Sequence, residues 1–505
     1  MQTPRPLWHD RFKPARHYPA LGTDLEVDVA IVGAGITGLT LAWHLRGTGL
    51  RVVVLEGKTV GSGTTGSSTG NLYVPVGPGF SRIEQKHGRD ALKTVVALRA
   101  AALVFIEGLI AEKGIACDFA RVPFHRFSLQ GSGRADFILA ESEAAERAGL
   151  QLEYGVPSLP LAVDASLTLT DQAQFDPLRY VAALASLLAD EGCRIFEHSP
   201  VLEMKDGSPC ELRTAEATVR AAHVVKATHV PQGRYYLHSQ LLPRREYALL
   251  VRLNGKAPPA GIYWSCGADT LYSIRPWHDE HHDYLLLLGQ SHEPGGERHE
   301  HLKALEHFVR AHFDVIGIDY LWCAQNYQPA DQLPYIGRTY GDHHTWIATG
   351  FAADGLIWGT VAGQMLATAI QGGEHPGANL FSPRRFTPLA SLAVTLQESG
   401  AVGKHLLQDH FTPTPLESPD KLAPGEARVI KVGSDRVAAY RHEDGRLDLV
   451  SAVCPHMGCL VHWNQLEKSW DCPCHGSRFA TDGTLIEGPS PKGLAPCQVS
   501  LKPPA

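Results

Sequence analysis

Cys454-Pro455-His456-Met457-Gly458-Cys459 and Cys472-Pro473-Cys474-His475-Gly476-Ser477 are two short boxes of the same kind, with first cysteines at 454 and 472. Each supplies a thiol and an imidazole. Two thiolates and two imidazoles suit either a tetrahedral zinc ion or a two-iron cluster with thiolates on one iron and histidines on the other. The C-x-H pairing is unlike the C-x-x-C and H-x₃₋₅-H spacing of zinc fingers. Gly458 and Gly476 suit tight ligand loops whose amides point at cluster sulfides. Cys459 and Cys474 are the spare cysteines, one in each box, and could tie the boxes by a disulfide. A zinc ribbon, or a disulfide-stapled β-domain without metal, is the plainer alternative.

A second constellation lies near the other end. Gly33-Ala34-Gly35-Ile36-Thr37-Gly38 is G-x-G-x-x-G between a β-branched run, 25–33, and a helical pattern. Its glycines allow a tight turn, close approach of a pyrophosphate and helix–strand packing. The helix start offers free amides to phosphate. Glu56, 18 residues after Gly38 and followed by Gly57 and Lys58, is placed to take a ribose hydroxyl. No second such turn occurs, which favours one bound dinucleotide. Three further segments point to flavin. The run from Gly61 contains Gly63, Thr64, Thr65, Ser68, Thr69 and Gly70, small residues whose amides can follow a pyrophosphate to an isoalloxazine edge; a surface loop is its plain alternative. The strand-rich stretch from Val201 ends in Ala227 and Thr228, which can return to the nucleotide. Gly350, Phe351, Asp354, Gly355 and Leu356 form a strand–loop–helix join whose dipole could hold the N1–O2 edge of a reduced flavin.

The elements that position these groups are legible in outline. Strand, helix and strand over 25–55 make a βαβ unit. Residues 88–112 and 134–149 read as amphipathic helices, 201–230 and 245–290 as strands, 345–349 as a strand and 356–371 as a helix of small residues. From about 382 to 425 the chain is proline-rich, a connection interrupted by a helix over about 389–409. The last stretch reads as short strands that need a staple or a metal.

The segments G-A-G-I-T-G-L, the loop after Glu56, A-D-Q-L-P-Y-I-G-R (330–338) and A-T-G-F-A-A-D-G-L (348–356) together resemble the D-amino-acid-oxidase-like family of FAD-dependent oxidoreductases, over 22–385. The boxes resemble the Rieske [2Fe-2S] domain, over 418–505. The resemblances imply an α/β FAD-binding domain with an interwoven antiparallel α+β substrate domain, then a small all-β Rieske domain. The expected division is 1–385, with a lid sheet at about 235–315, a linker at 386–417, and 418–505. They imply Cys454 and Cys472 on one iron, His456 and His475 on the other, a Cys459–Cys474 disulfide, and a hydrogen bond from Ser477 to a bridging sulfide. Phe479 stands where high-potential Rieske proteins carry tyrosine, which implies a lower potential. The order of the two parts is similar to bacterial FAD/Rieske fusion proteins.

The family implies oxidation of a C–N bond of an amino acid or amine by hydride transfer to flavin. A one-electron carrier on the same chain adds a converter, so a dehydrogenase with an external electron acceptor is expected rather than a peroxide-forming oxidase. A redox relay or sensor without small-molecule turnover is the second class. Arg244, Arg245 and Arg275 are candidates to clamp a substrate carboxylate, and Tyr247 and Tyr272 to shape its pocket. Cys323 is either a buried thiol or a flavin thioether. The run His278 to His282 reads as a solvated turn rather than an iron site.

Composition bounds the rest. The 505 residues carry 46 basic and 53 acidic side chains, a formal charge of -7, which argues against a nucleic-acid partner. No unbroken run of 18 apolar residues occurs, so no integral membrane segment is expected. Scattered cysteines and no apolar leader point to the cytoplasm.

Overall fold

The computed structural model describes residues 4–155, 161–233, 235–266, 271–295, 299–385 and 419–497. The expected linker and its helix lie outside the described residues.

Leu25–Val32 becomes continuously apolar after Asp28, over Val29, Ala30, Ile31 and Val32, where both of its faces are covered, as in a central parallel strand. Around it forms a sheet in the order Tyr335–Gly337, Thr345–Thr349, Thr218–Lys226, Leu25–Val32, Val52–Leu55, Arg194–Phe196. Along this order only the first strand runs antiparallel to its neighbour, and Cys210–Arg213 and Glu203–Lys205 add two antiparallel strands beside Thr218–Lys226. The helix Ile36–Leu45 leaves the central strand through the glycine turn. It packs against Gly355–Ile370 at very short range. A Cβ on Gly359 would lie 2.6 Å from Thr37 Oγ1, and one on Gly363 would lie 2.8 Å from the Leu41 amide. Small residues in the second helix thus let two backbones meet.

The second sheet has nine strands, ordered Val315–Pro329, Leu241–Leu253, Asp283–His292, Leu271–His278, Ile262–Cys266, Ala120–Leu129, Val163–Gln174, Asn71–Leu72, with Glu153–Gly155 on the penultimate one. It is wider than the expected 235–315. The chain enters it early, through Asn71–Leu72 and Ala120–Leu129, and leaves late, at Pro329. It also contains one parallel pair, Ile262–Cys266 with Ala120–Leu129. Strand alternation gives the sheet two faces with different neighbours. Ala248, Leu250, Leu286 and Trp322 join the central core, whereas Tyr247, Leu249, Leu285 and Leu287 pack with Leu305, Phe308 and Val309 of the helix His299–His312.

The helix Arg89–Lys113 is long and apolar enough to cross a membrane by length and composition. In this fold it packs within the body. Its Arg99 is fully buried, donating to the carbonyls of Tyr73, Val74 and Pro75 and lying 3.4 Å from Asp354.

Residues 427–487 form a three-stranded and a four-stranded antiparallel sheet around Trp470 and Phe479. The two Cys/His boxes are loops at their junction.

Gly363→Val is expected to overpack the helix crossing and cost about 1–3 kcal/mol. Urea denaturation, with flavin retention followed by absorbance, checks it.

Candidate functional site

The glycine turn is built for an anion. Gly33 has φ 111°, and a Cβ there would lie 2.5 Å from the Ala227 carbonyl. The helix that follows starts at Ile36 with no side-chain cap, so its first amides face outward unsatisfied by the helix. Glu56 stands beside the turn, accepting from the amides of Ala34 at 2.9 Å and Lys58 at 2.8 Å. A carboxylate has further lone pairs to offer a ribose hydroxyl. Burial raises its pKa above the ordinary range, against the two amide hydrogen bonds. The Ser199 amide bonds to the Glu56 carbonyl and Pro200 packs on Gly57, which brings the start of the Val201 stretch to the same edge.

The run Gly61–Gly70 folds over the helix start rather than lying on the surface. The Gly61 amide bonds to the Ala34 carbonyl, and the Ile36 amide donates to Thr65 Oγ1 at 3.2 Å. Trp8 and Trp322 donate their indole N–H to the carbonyls of Ser68 and Ser67. Thr64 Oγ1 meets His229 Nδ1 at 3.2 Å, next in the chain to Ala227 and Thr228. Thr349 Oγ1 donates to the His229 carbonyl, and Gly350, φ 77°, packs on Leu241, Pro329 and Tyr335. All four segments singled out for flavin therefore converge. The helix Gly355–Ile370 is uncapped by any side chain, because the Asp354 carboxylate turns away to accept from Tyr73 Oη at 2.8 Å and the Gly77 amide at 3.0 Å. Asp354 thus braces the helix from behind. Buried Asn71 Nδ2 and Asn326 Oδ1 lack a protein partner. The uncapped helix starts and these orphaned amides fit a bound dinucleotide.

The three arginines expected to clamp a substrate carboxylate each have protein partners. Arg245, 1% exposed, pairs with Glu467 and Glu487 of the C-terminal domain. Arg275 donates from Nη1 to the carbonyls of Thr69 at 2.5 Å and Phe175 at 3.1 Å, bracing the glycine loop. Arg244 pairs with exposed Glu293 at 3.2 Å. Tyr247 stacks on His292, and Tyr272 on Phe308 with centroids 3.8 Å apart, both on the sheet face away from the central core. Cys323 lies opposite Tyr247 on that same outer face, beside Arg245, so a flavin thioether has no geometry there. The 278–282 run is a turn in which Asp279 accepts from the amides of His281 and His282.

The two cluster loops are near copies. In each, the glycine amide bonds to the cysteine carbonyl four residues back, Gly458 to Cys454 and Gly476 to Cys472. Both glycines have positive φ, 81° and 72°. The Cys454 and Cys472 thiols are buried and bond to each other, which lowers the pKa of the first and raises that of the second. Amides of His456 and Met457 point at Cys454 Sγ, and those of Cys474 and His475 at Cys472 Sγ. The imidazoles of His456 and His475 have centroids 4.7 Å apart. Cys459 and Cys474 are joined in a disulfide, Cα–Cα 6.6 Å. Two thiols, two imidazoles and converging amides, with His475 Nδ1 buried and unpartnered, fit a two-iron cluster.

Sequence reasoning missed the seat of these loops. His238 Nε2 meets the Pro231 carbonyl at 2.9 Å, so Nε2 carries the proton and Nδ1 accepts from His456 Nε2 at 3.0 Å. Burial, then the neighbouring His456 and His475, hold His238 neutral, with a pKa of about 3. His456 is thereby fixed in the tautomer whose lone pair is on Nδ1. Gln325 Nε2 donates to the Gly476 carbonyl at 2.8 Å, and Tyr327 Oη to the His475 carbonyl at 3.4 Å. The Tyr327 ring lies edge-on to His229, centroids 4.9 Å apart. No spacing pattern marks His238, Gln325 or Tyr327. They are single residues brought in by the sheet.

The disulfide closes a segment with a sequence separation of 15, a length for which cross-linking contributes about 3 kcal/mol. Cys459→Ala with Cys474→Ala is expected to lower stability by that order and to speed iron release. Thermal denaturation and iron and acid-labile sulfide assays check it.

Comparison with known proteins agrees with this geometry. The FAD dependent oxidoreductase model matches residues 28–369, and the Rieske [2Fe-2S] domain model matches residues 412–498. The Rieske 2Fe-2S iron-sulfur protein YhfW of Bacillus subtilis is 29% identical over 94% of this chain and 94% of its own length. The gamma-glutamylputrescine oxidoreductase of Escherichia coli is 24% identical over 70% of this chain and 86% of its own. Glycine oxidase from Geobacillus kaustophilus shares the fold over 72% of this chain and all of its own, with a TM-score of 0.59 at 19% identity. The chain belongs to the FAD dependent oxidoreductase family, related to amino-acid and amine oxidases, and carries on its C-terminal side a Rieske domain, so that its two cofactors are FAD and a [2Fe-2S] cluster.

Proposed function

We propose that this protein is an FAD-dependent dehydrogenase that oxidises a C–N bond of a small amine or amino acid and delivers the electrons singly through its cluster to an external acceptor. FAD supplies a hydride acceptor and the cluster a one-electron carrier; the chain's part is to hold both and to keep them adjacent. In this reading residues 33–38, Glu56–Lys58, the 63–70 loop, Val201, Ala227, Thr228 and the 350–356 join hold FAD. Cys454, His456, Cys472 and His475 ligate the cluster. Division at about 385 and 418 separates the two units.

One observation carries the proposal. The loop around Thr64 and the loop around His475 are bridged by two side chains, His229 and Tyr327, with contacts of 3.2, 4.9 and 3.4 Å along the way. A relay between the two sites thus needs no domain movement. Met457, beside His456, is 52% exposed, which leaves the first cluster loop a face open to a partner.

Anaerobic mixing of holoenzyme with a panel of amino acids, N-methyl amines and diamines tests the reading. At least one compound is expected to bleach the flavin, with the electron paramagnetic resonance signal of a reduced cluster following. Tyr327→Leu is expected to slow the second step and spare the first. Equal turnover with oxygen and with one-electron acceptors, unchanged when Cys454→Ser removes the cluster, would count against it. Arg245→Ala leaves Glu467 and Glu487 with Arg478 as their shared partner and is expected to cost about 1–3 kcal/mol, measured by chemical denaturation.

A further inference from the structure

The lid sheet presents to the flavin-side cleft the alternate residues of two paired strands. Arg244, Glu246 and Ala248 of Leu241–Leu253 stand opposite Asn326, Ala324 and Trp322 of Val315–Pro329. Paired residues share a face. Ala248 and Trp322 belong to the central core, and Trp322 reaches the glycine loop at Ser67. Glu246 therefore faces the same side of the sheet as Trp322, within reach of the Asp354 charge at the start of the Gly355–Ile370 helix.

Its surroundings are unusual for a carboxylate. Asn326 Nδ2 donates to Oε2 at 3.2 Å. No basic side chain pairs with it among the described residues. Protein surrounds it, yet it keeps some water-accessible surface, as a group lining an internal cleft does. Burial, reinforced by the Asp354 charge, raises its pKa to about 7. Asp354 itself is satisfied by Arg99, Tyr73 and Gly77. A lone buried carboxylate carries a large desolvation cost that a cation from a ligand would offset. The arginines that would instead hold a substrate carboxylate are engaged elsewhere. Arg245 pairs across the domain contact, Arg275 holds backbone carbonyls, and Arg244 pairs with Glu293.

We propose that Glu246 anchors the nitrogen of a cationic alkyl amine, and that the substrate lacks the α-carboxylate an arginine clamp would hold. This rests on the amine-oxidising reading above and narrows it. Amines compete for the site as cations. Below pH 7 Glu246 is protonated in the free enzyme and the attraction is lost. Above it the carboxylate is ionised, so affinity rises with pH and then levels until the amine itself loses its proton.

The test uses holoenzyme and the flavin absorbance change on titration with putrescine, butylamine, glycine and sarcosine. Putrescine and butylamine are expected to bind, with Kd falling about tenfold per pH unit up to pH 7 and flat above it. Glu246→Gln is expected to weaken amine binding about 10- to 100-fold and to abolish that pH dependence. The same variant removes a charge the folded state disfavours, so its melting temperature at pH 8 should be unchanged or higher. Weakened binding then cannot be ascribed to unfolding. Equal amine affinity in E246Q and the parent, or tighter binding of glycine and sarcosine than of the amines, overturns the anchor and leaves amine oxidation standing. No response to either class overturns both.

Discussion

Arg245 is charged at any accessible pH and 1% exposed, so it must find anionic partners inside the protein. Those partners, Glu467 and Glu487, lie on the other domain, and both also hold Arg478, which in turn holds Asp471 at 3.1 Å. Two cations and three carboxylates thus form one buried network across the contact. Pulling the domains apart would break both Arg245 pairs and readmit water to the charges, so the network fixes the position of the contact more than its strength. The Rieske domain is consequently seated in one position. The small contacts around it follow from that seat: His238 against His456, Gln325 against Gly476, Tyr327 against His475. Each would be too weak alone to hold a domain.

The same two strands serve both sites, because side chains alternate across a sheet. On one face Glu246, Asn326 and Trp322 turn toward the cleft by the glycine loop. On the other Arg245, Gln325 and Cys323 turn toward the cluster domain. A one-residue slip in register would exchange the two sets and destroy both sites at once. This also explains why Arg245 is a poor substrate candidate despite its type. Arg245 and Glu246 are adjacent in sequence but face different halves of the molecule.

What could be read from the sequence was set by short-range chemistry. A pyrophosphate turn needs glycines at fixed steps, and a cluster loop needs its ligands and a glycine within six residues. Such patterns survive without knowledge of the fold. The roles of Arg245, Tyr247 and Cys323 could not be read, because they depend on which face a strand turns outward and on a partner such as Glu467, 222 residues away. The width of the lid was missed for a related reason. Asn71–Leu72 and Ala120–Leu129 join a sheet whose other strands are far along the chain. The helix Arg89–Lys113 shows the limit of composition: its apolar content fits a bilayer, yet buried Arg99 commits it to Asp354 and the carbonyls of 73–75.

Several groups in the cleft are left unsatisfied by the protein's own folding. Neither Gly35 nor Asp354 caps the helix that follows it, although the Ile36 amide meets Thr65 Oγ1. His229 adopts φ 68°, a left-handed conformation that costs energy in a non-glycine residue. Asn71 and Asn326 have orphaned polar atoms, and Glu246 has no cation. Elsewhere the buried charges are met: Arg99 by Asp354, Arg126 by Glu141, Asp331 by Arg385. Orphaned polar atoms occur elsewhere in the fold too, Tyr180 Oη and Trp346 Nε1 among them, but the helix starts, the Asn71 and Asn326 amides and the Glu246 carboxylate are groups that phosphate, flavin or an ammonium group would satisfy. Stability given up at those positions is regained on binding, so the loaded protein should be the more stable form by mass action.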